Sequence, residues 1–206
     1  WPLCSLKVNC PVQNQGNFTC ISQLPPPATT LVDFNNQFGV NAIERFCSSP
    51  TITSTDMVTG TGCPGSPRVI SRRYIITDAG IAPIGMQAET CTVFYTVVDS
   101  VKPIFMTPPV GAQFSCGSST LTADTASLIA NHFNVMVVDN CGGAITLNTR
   151  RVSIDSICSG SKNILYAITA MDICGNTQVA FANITIIDTI PPVLTLPVAV
   201  NTVSCN

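Results

Sequence analysis

The end of this chain repeats its middle. Residues 188–205, "DTIPPVLTLPVAVNTVSC", match residues 99–116, "DSVKPIFMTPPVGAQFSC", at a constant offset of 89 residues. Upstream of each copy, "TCTVFYTVVDS" (90–100) corresponds to "FANITIIDT" (181–189), and a fainter copy, "CPVQNQGNFTC", closes at Cys20. Self-similarity at a fixed period means that whatever one repeat folds into, the next folds into as well. The chain therefore divides into an N-terminal segment or linker (1–10), repeat 1 (11–101), repeat 2 (102–190) and the first strand of a third repeat (191–206).

Each repeat reads as all-β. "CTVFYTVVD" sets Cys91, Val93, Tyr95 and Val97 against Thr92, Phe94 and Thr96, and "ANITIID" sets Ala182, Ile184 and Ile186 against Asn183 and Thr185. Alternation of period two in β-branched residues is the pattern of a half-buried strand. "VISRRYIITD" and "NILYAITAMD" supply the preceding strand of each repeat, and "CPGSP", "DNCGG" and "CGN" punctuate them as turns. A period near 90 residues is the size of one immunoglobulin-like sandwich. The fold class expected is all-β, tandem immunoglobulin-like β-sandwiches. One segment, "ADTASLIANHF" (123–133), groups Leu128, Ile129 and Phe133 at helical spacing and is expected as a short crossover helix.

Eleven cysteines, at 4, 10, 20, 47, 63, 91, 116, 141, 158, 174 and 205, contain no Cys-x-x-Cys pair, and His132 is the sole histidine. Dispersed cysteines without close ligand pairs argue against zinc and for disulfides made in an oxidising, extracellular compartment. In order, 20, 47 and 63 match 116, 141 and 158, while Cys91 and Cys174 have no counterparts. Four cysteines allow three connectivities per repeat. The preferred set is Cys47–Cys63, Cys141–Cys158, Cys20–Cys91 and Cys116–Cys174, with Cys4–Cys10 closing an N-terminal loop and Cys205 unpaired within the chain. A net charge of −2 and no basic cluster beyond Arg72-Arg73 and Arg150-Arg151 leave no phosphate-binding face for nucleic acid. No apolar run approaches the ~20 residues of a membrane span.

Asp-Thr-x-Pro-Pro before an apolar strand, the ending "TVSCN", "DNCGG", and "TAMDICGN" ahead of "NITIIDTIPP" together resemble the HYR-type immunoglobulin-like repeats of giant secreted surface proteins in Bacteroidota, among them gliding-motility adhesins and surface filaments exported by type 9 secretion. The likeness is clear in repeat 2 and weaker in repeat 1, where "TDAGI" lacks the cysteine of "MDICGN". It implies a cell-surface array, and O-glycosylation at Asp-Ser/Thr followed by a small or aliphatic residue. That pattern falls on Ser100, Thr125, Ser156 and Thr189. Asn17 and Asn183 fit the N-glycan acceptor pattern in a host that makes it.

Few residues carry chemistry. A Ser-His-Asp or Cys-His arrangement would have to use His132, and only Glu44 and Glu89 are glutamates, so no enzyme is expected. "TGTGCPG" (59–65) has no Lys-Ser/Thr after it and reads as a disulfide-tethered loop, not a phosphate cradle. No cofactor is expected; calcium is the one metal weighed, at Asp99 and Asp188 on the repeat junctions, against the plainer reading that each aspartate caps a turn. Pro103, Pro191 and Pro192 stiffen those junctions. The expected function is a structural segment of a secreted surface stalk, adhesin or extracellular filament. The alternatives are a pilus-like subunit that polymerises by exchanging its C-terminal strand, or a module that binds a surface glycan or protein. Partners are neighbouring repeats or subunits.

Overall fold

The structure, a computed structural model, describes residues 5–81, 85–116, 133–158 and 161–195. Cys4, Thr125, His132, Cys205, nearly all of the segment expected as a helix and most of the last strand fall outside the described residues. The chain is all-β, and its contacts group it into two compact units. The first takes Trp1–Ile104 with Val137–Thr146 and Ala170–Gln178; the second takes Phe105–Met136, Leu147–Thr169 and Val179–Asn206. Two segments of the second sequence repeat thus belong to the first unit, and the boundary at 101/102 stays a proposal about the sequence repeats.

In chain order the first elements are β1 (Lys7–Val8), β2 (Asn14–Phe18), α1 (Leu31–Phe38), β3 (Ile43–Arg45), β4 (Thr51–Thr59), β5 (Arg68–Asp78) and β6 (Gln87–Val97). They form a four-stranded sheet in the order β2-β6-β5-β4 and a small antiparallel pair, β1-β3. On β6 the alternation is complete: Cys91, Val93, Tyr95 and Val97 are all buried. Burying such side chains stabilises by ~1.5–3 kcal/mol each. Leu6, inside the segment read as a linker, is also buried in this core.

α1 is an addition to the sequence reading. Thr30 caps it by accepting the backbone N–H of Asp33 at 3.1 Å, and Gly39 ends it at φ 114°, a conformation that side-chain-bearing residues rarely adopt. Phe34 and Phe38 point one way, and with Tyr74 of β5 they make an edge-to-face cluster with centroids 4.8–5.5 Å apart. Beside it Arg72 is buried, paired with Asp56 through two bonds of 2.8 and 2.9 Å, donating to the Pro25 carbonyl and lying 5.3 Å from the Tyr95 ring centroid. The Asp56 carboxylate raises the Arg72 pKa against the opposing effect of burial, so the guanidinium stays charged.

The remaining strands are β7 (Ile104–Thr107), β8 (Ala112–Ser115), β9 (Met136–Val138), β10 (Thr146–Cys158), β11 (Ser161–Met171) and β12 (Thr177–Ile187). They repeat the plan, with a four-stranded sheet in the order β10-β11-β12-β8 and the pair β7-β9. The second unit's core joins Phe133, Ile164 and Ile168 to Ala182, Ile184 and Ile186, the three residues expected on the inner face of β12.

One feature recurs in both sheets and fixes the sulfur chemistry. The short first strand lies parallel to the last, with Asn14 opposite Phe94 and Phe18 opposite Val97 in one sheet, and Ala112 opposite Ile184 through Ser115 opposite Ile187 in the other. The parallel register draws Cys10 alongside Cys91 and sends Cys20 to the opposite end of β6. Val97, level with Phe18, is six residues past Cys91, or about 20 Å of strand. Disulfides need Cα atoms within about 7 Å. Among the bonds formed are Cys10–Cys91, Cys20–Cys141 and Cys63–Cys174, with Cα separations of 5.4, 5.0 and 5.0 Å.

Every expected pairing is therefore corrected. Cys20–Cys91 and Cys4–Cys10 fail because Cys91 takes Cys10. Cys141–Cys158 fails because Cys141 takes Cys20. Cys47–Cys63 and Cys116–Cys174 fail because Cys63 takes Cys174, while Cys116 is a free, exposed thiol and Cys47 is itself disulfide-bonded.

Candidate functional site

Three aspartates of the first unit gather at Asp99, with Asp139 and Asp172 close enough to act on its charge. Asp99 leaves β6 almost fully buried, at 5% exposure. Its N–H donates to the Gly62 carbonyl at 2.7 Å, its own carbonyl accepts from Asn176 Nδ2 at 3.2 Å, and its Oδ1 accepts the Val101 N–H at 3.2 Å. Asp139 and Asp172 arrive on the turns "DNCGG" and "DICGN". Cys20–Cys141 and Cys63–Cys174 hold those turns in the first unit. A cavity of about 160 Å³ lies here, lined by Thr19, Gly62, Arg68, Asp99, Cys141 and Cys174 among others.

The three carboxylates are not alike. Both oxygens of Asp172 are occupied, Oδ1 by the N–H groups of Cys174 (2.8 Å) and Asn176 (2.9 Å), and Oδ2 by Asn176 Nδ2 (2.8 Å). It closes a turn. Asp139 Oδ2 accepts the Cys141 N–H at 2.9 Å, while Oδ1 is buried without a partner. Burial pushes the Asp99 carboxyl above its ordinary range, and the charges of Asp139 and Asp172 push it the same way.

Ligand atoms of Asp99, Asp139 and Cys141 lie within 4.8 Å of one another. The Cys141 sulfur is committed to a disulfide, however, and cannot act as a thiolate. Two carboxylates remain where calcium takes six to eight oxygens. These residues do not fit a calcium centre.

Of the two calcium candidates, then, Asp99 enters the cluster and Asp188 does not. Asp188 is exposed and accepts the Ile190 N–H at 3.1 Å, which copies the Asp99–Val101 bond two residues ahead. Both are side-chain turns of the kind Asp makes with its own backbone. The acceptor positions Ser100, Ser156, Thr189, Asn17 and Asn183 are all exposed, and they are dispersed along the chain. The loop of residues 59–65 is tethered through Cys63. In the sequence Asp139 and Asp172 stand apart, each at the end of a strand. What gathers them at Asp99 is the pair of long-range disulfides, which the spacing of cysteines did not disclose.

Fold and site together define an all-β protein whose two units each carry a four-stranded sheet, braced by disulfides. No helix among the described residues is long and apolar enough to cross a membrane. No protein-family model matches the sequence, and no curated protein matches it. Among solved structures, the chain is similar to the extracellular cadherin domains 1–4 of protocadherin gamma B7 (12% identity, TM-score 0.32, 89% of this chain and 51% of that one). It is also similar to the extracellular domain of protocadherin gamma B4 (12%, 0.34, 90% and 34%) and to domains EC1–3 of mouse protocadherin-24 (13%, 0.26, 86% and 69%). The chain spans about half the length of the first of these.

Proposed function

We propose that this chain is a non-enzymatic extracellular structural module, a segment of a long secreted stalk, adhesin or filament assembled from tandem immunoglobulin-like repeats. One observation carries the reading: Cys20–Cys141 and Cys63–Cys174 each tie a residue of the first sequence repeat to a residue of the second, across 121 and 111 positions. Bonds of this kind persist in oxidising surroundings and are reduced in a cytosol. Closing loops of that length contributes in the chain-entropy account about 4–5 kcal/mol apiece. A protein that does its work by holding together has use for such bonds. Prolines at the sequence junctions support the same reading, since each restricts its own φ and extends the residue before it.

The source and export route implied by the HYR-type resemblance belong to this proposal, as do glycans at Ser100, Thr125, Ser156 and Thr189. The deciding experiment is the intact mass of the native protein from its source. A polypeptide far heavier than 21.7 kDa carrying more repeats supports the array. A polypeptide near that mass that assembles into polymers points to strand exchange instead.

A further inference from the structure

We propose that β4 is a self-association edge, which pairs antiparallel with β4 of a second copy of this chain about a two-fold axis at Thr55. β4 ends its sheet, with β5 on one side and no strand on the other among the described residues. It pairs with β5 without a break from Thr51 opposite Thr77 to Thr59 opposite Val69. Sheet edges are ordinarily blunted by charged side chains, Lys above all, by Pro, bulges or brevity. β4 carries a single charge, Asp56, offset by Arg72, and otherwise has none of these over nine residues. The other edges do: β2 and β8 are five and four residues long, β2 has a register shift between Asn14 and Asn17, and β10 carries Arg150 and Arg151 near its middle.

The second copy is argued from complementarity. The strand reads Thr-Ile-Thr-Ser-Thr-Asp-Met-Val-Thr. Centred on Thr55, an antiparallel copy sets Thr51 opposite Thr59, Ile52 opposite Val58, Thr53 opposite Met57 and Ser54 opposite Asp56. Thr–Thr and β-branched pairs are favourable across strands, whereas like charges directly opposite are not. No like charges lie directly opposite one another in this alignment; the two Asp56 carboxylates are diagonal neighbours on one face, and each is held by its own Arg72. The face formed by Thr51, Thr53, Thr55, Met57 and Thr59 is exposed along its whole length, with Met57 at 70%. Self-pairing of β10 would instead bring four arginines together. A contact of this kind is isologous and closes at a dimer. One strand pair is a small interface, so the dimer belongs to the weak, reversible class.

Sedimentation equilibrium of the full chain tests this, with Cys116→Ser to remove the exposed thiol. The expected result is a concentration-dependent monomer–dimer equilibrium. Thr55→Lys sets two ammonium groups face to face at the axis and weakens it by about tenfold or more, with the melting temperature held. Paired antiparallel Cα atoms about 4.5–5.5 Å apart lie within disulfide reach. Under oxidised glutathione Thr55→Cys therefore links two copies, while Thr53→Cys, which faces Met57, does not. A chain monomeric from micromolar to millimolar concentration, a dimer indifferent to Thr55→Lys, or equal cross-linking at 53 and 55 would each overturn the proposal and leave the proposed structural function standing.

Discussion

Two buried aspartates in the first unit have opposite fates. At Asp78, burial pushes the carboxyl up, but bonds from the Cys47 N–H, the Ser48 N–H and Oγ and the Gly80 N–H outweigh it and hold the group down to about 2. A depressed carboxylate contributes stability that is whole above its unfolded value near 4 and drains as pH falls from there through 2. Asp78→Asn is expected to cost about 3 kcal/mol or more at pH 7, because several donors lose a charged acceptor. Denaturant titrations from pH 7 to pH 2 should show the variant losing less on acidification than the parent. Asp99 runs the other way. Its raised pKa means the charge costs stability above that value, and the cost is relieved as protons bind on the way down. Asp99→Asn is expected to raise the melting temperature at pH 7, with the gain fading as pH falls through the raised pKa and gone below the unfolded value near 4. An unchanged or lowered midpoint at pH 7 would contradict the electrostatic account of the cluster.

At the scale of elements, the ring cluster on α1 makes the sharpest prediction. Phe34 is fully buried against Tyr74 and Phe38, so Phe34→Ala is expected to cost about 3–5 kcal/mol in urea unfolding. The strands behind it were plain in the sequence, because period-two alternation at Cys91–Val97 and Ala182–Ile186 directly encodes which face is wet. The helix was not read, although Thr30, Asp33 and the Leu31, Phe34 and Phe38 spacing carried it. "TTLVDFNNQF" is short and rich in residues of modest helix propensity, and tertiary contact with Tyr74 decides it. The disulfides were misread for a related reason. Residue spacing along the chain says nothing about whether a first strand runs with or against the last, and here the parallel course of β2 moves Cys20 from one end of the sheet to the other. β8 takes the same course, so Cys116 follows β8 as Cys20 follows β2, one free and the other bonded. Alkylation of the unreduced, unfolded protein should label Cys116, while Cys20 stays unlabelled until reductant is added.

For the whole molecule, the site was legible only as single aspartates, because three turns distant in sequence meet at Asp99 by virtue of bonds between residues more than 100 positions apart. Those bonds also decide how the molecule fails. A protease cutting the exposed backbone near Ile81, on the span between β5 and β6, severs the polypeptide without releasing either half, since Cys10–Cys91, Cys20–Cys141 and Cys63–Cys174 each bridge the cut. Clipped material should migrate as one band on a non-reducing gel and as two once thiol is supplied. Damage at that point is survivable: the wound stays sutured, and loss of a fragment requires a second, reductive insult.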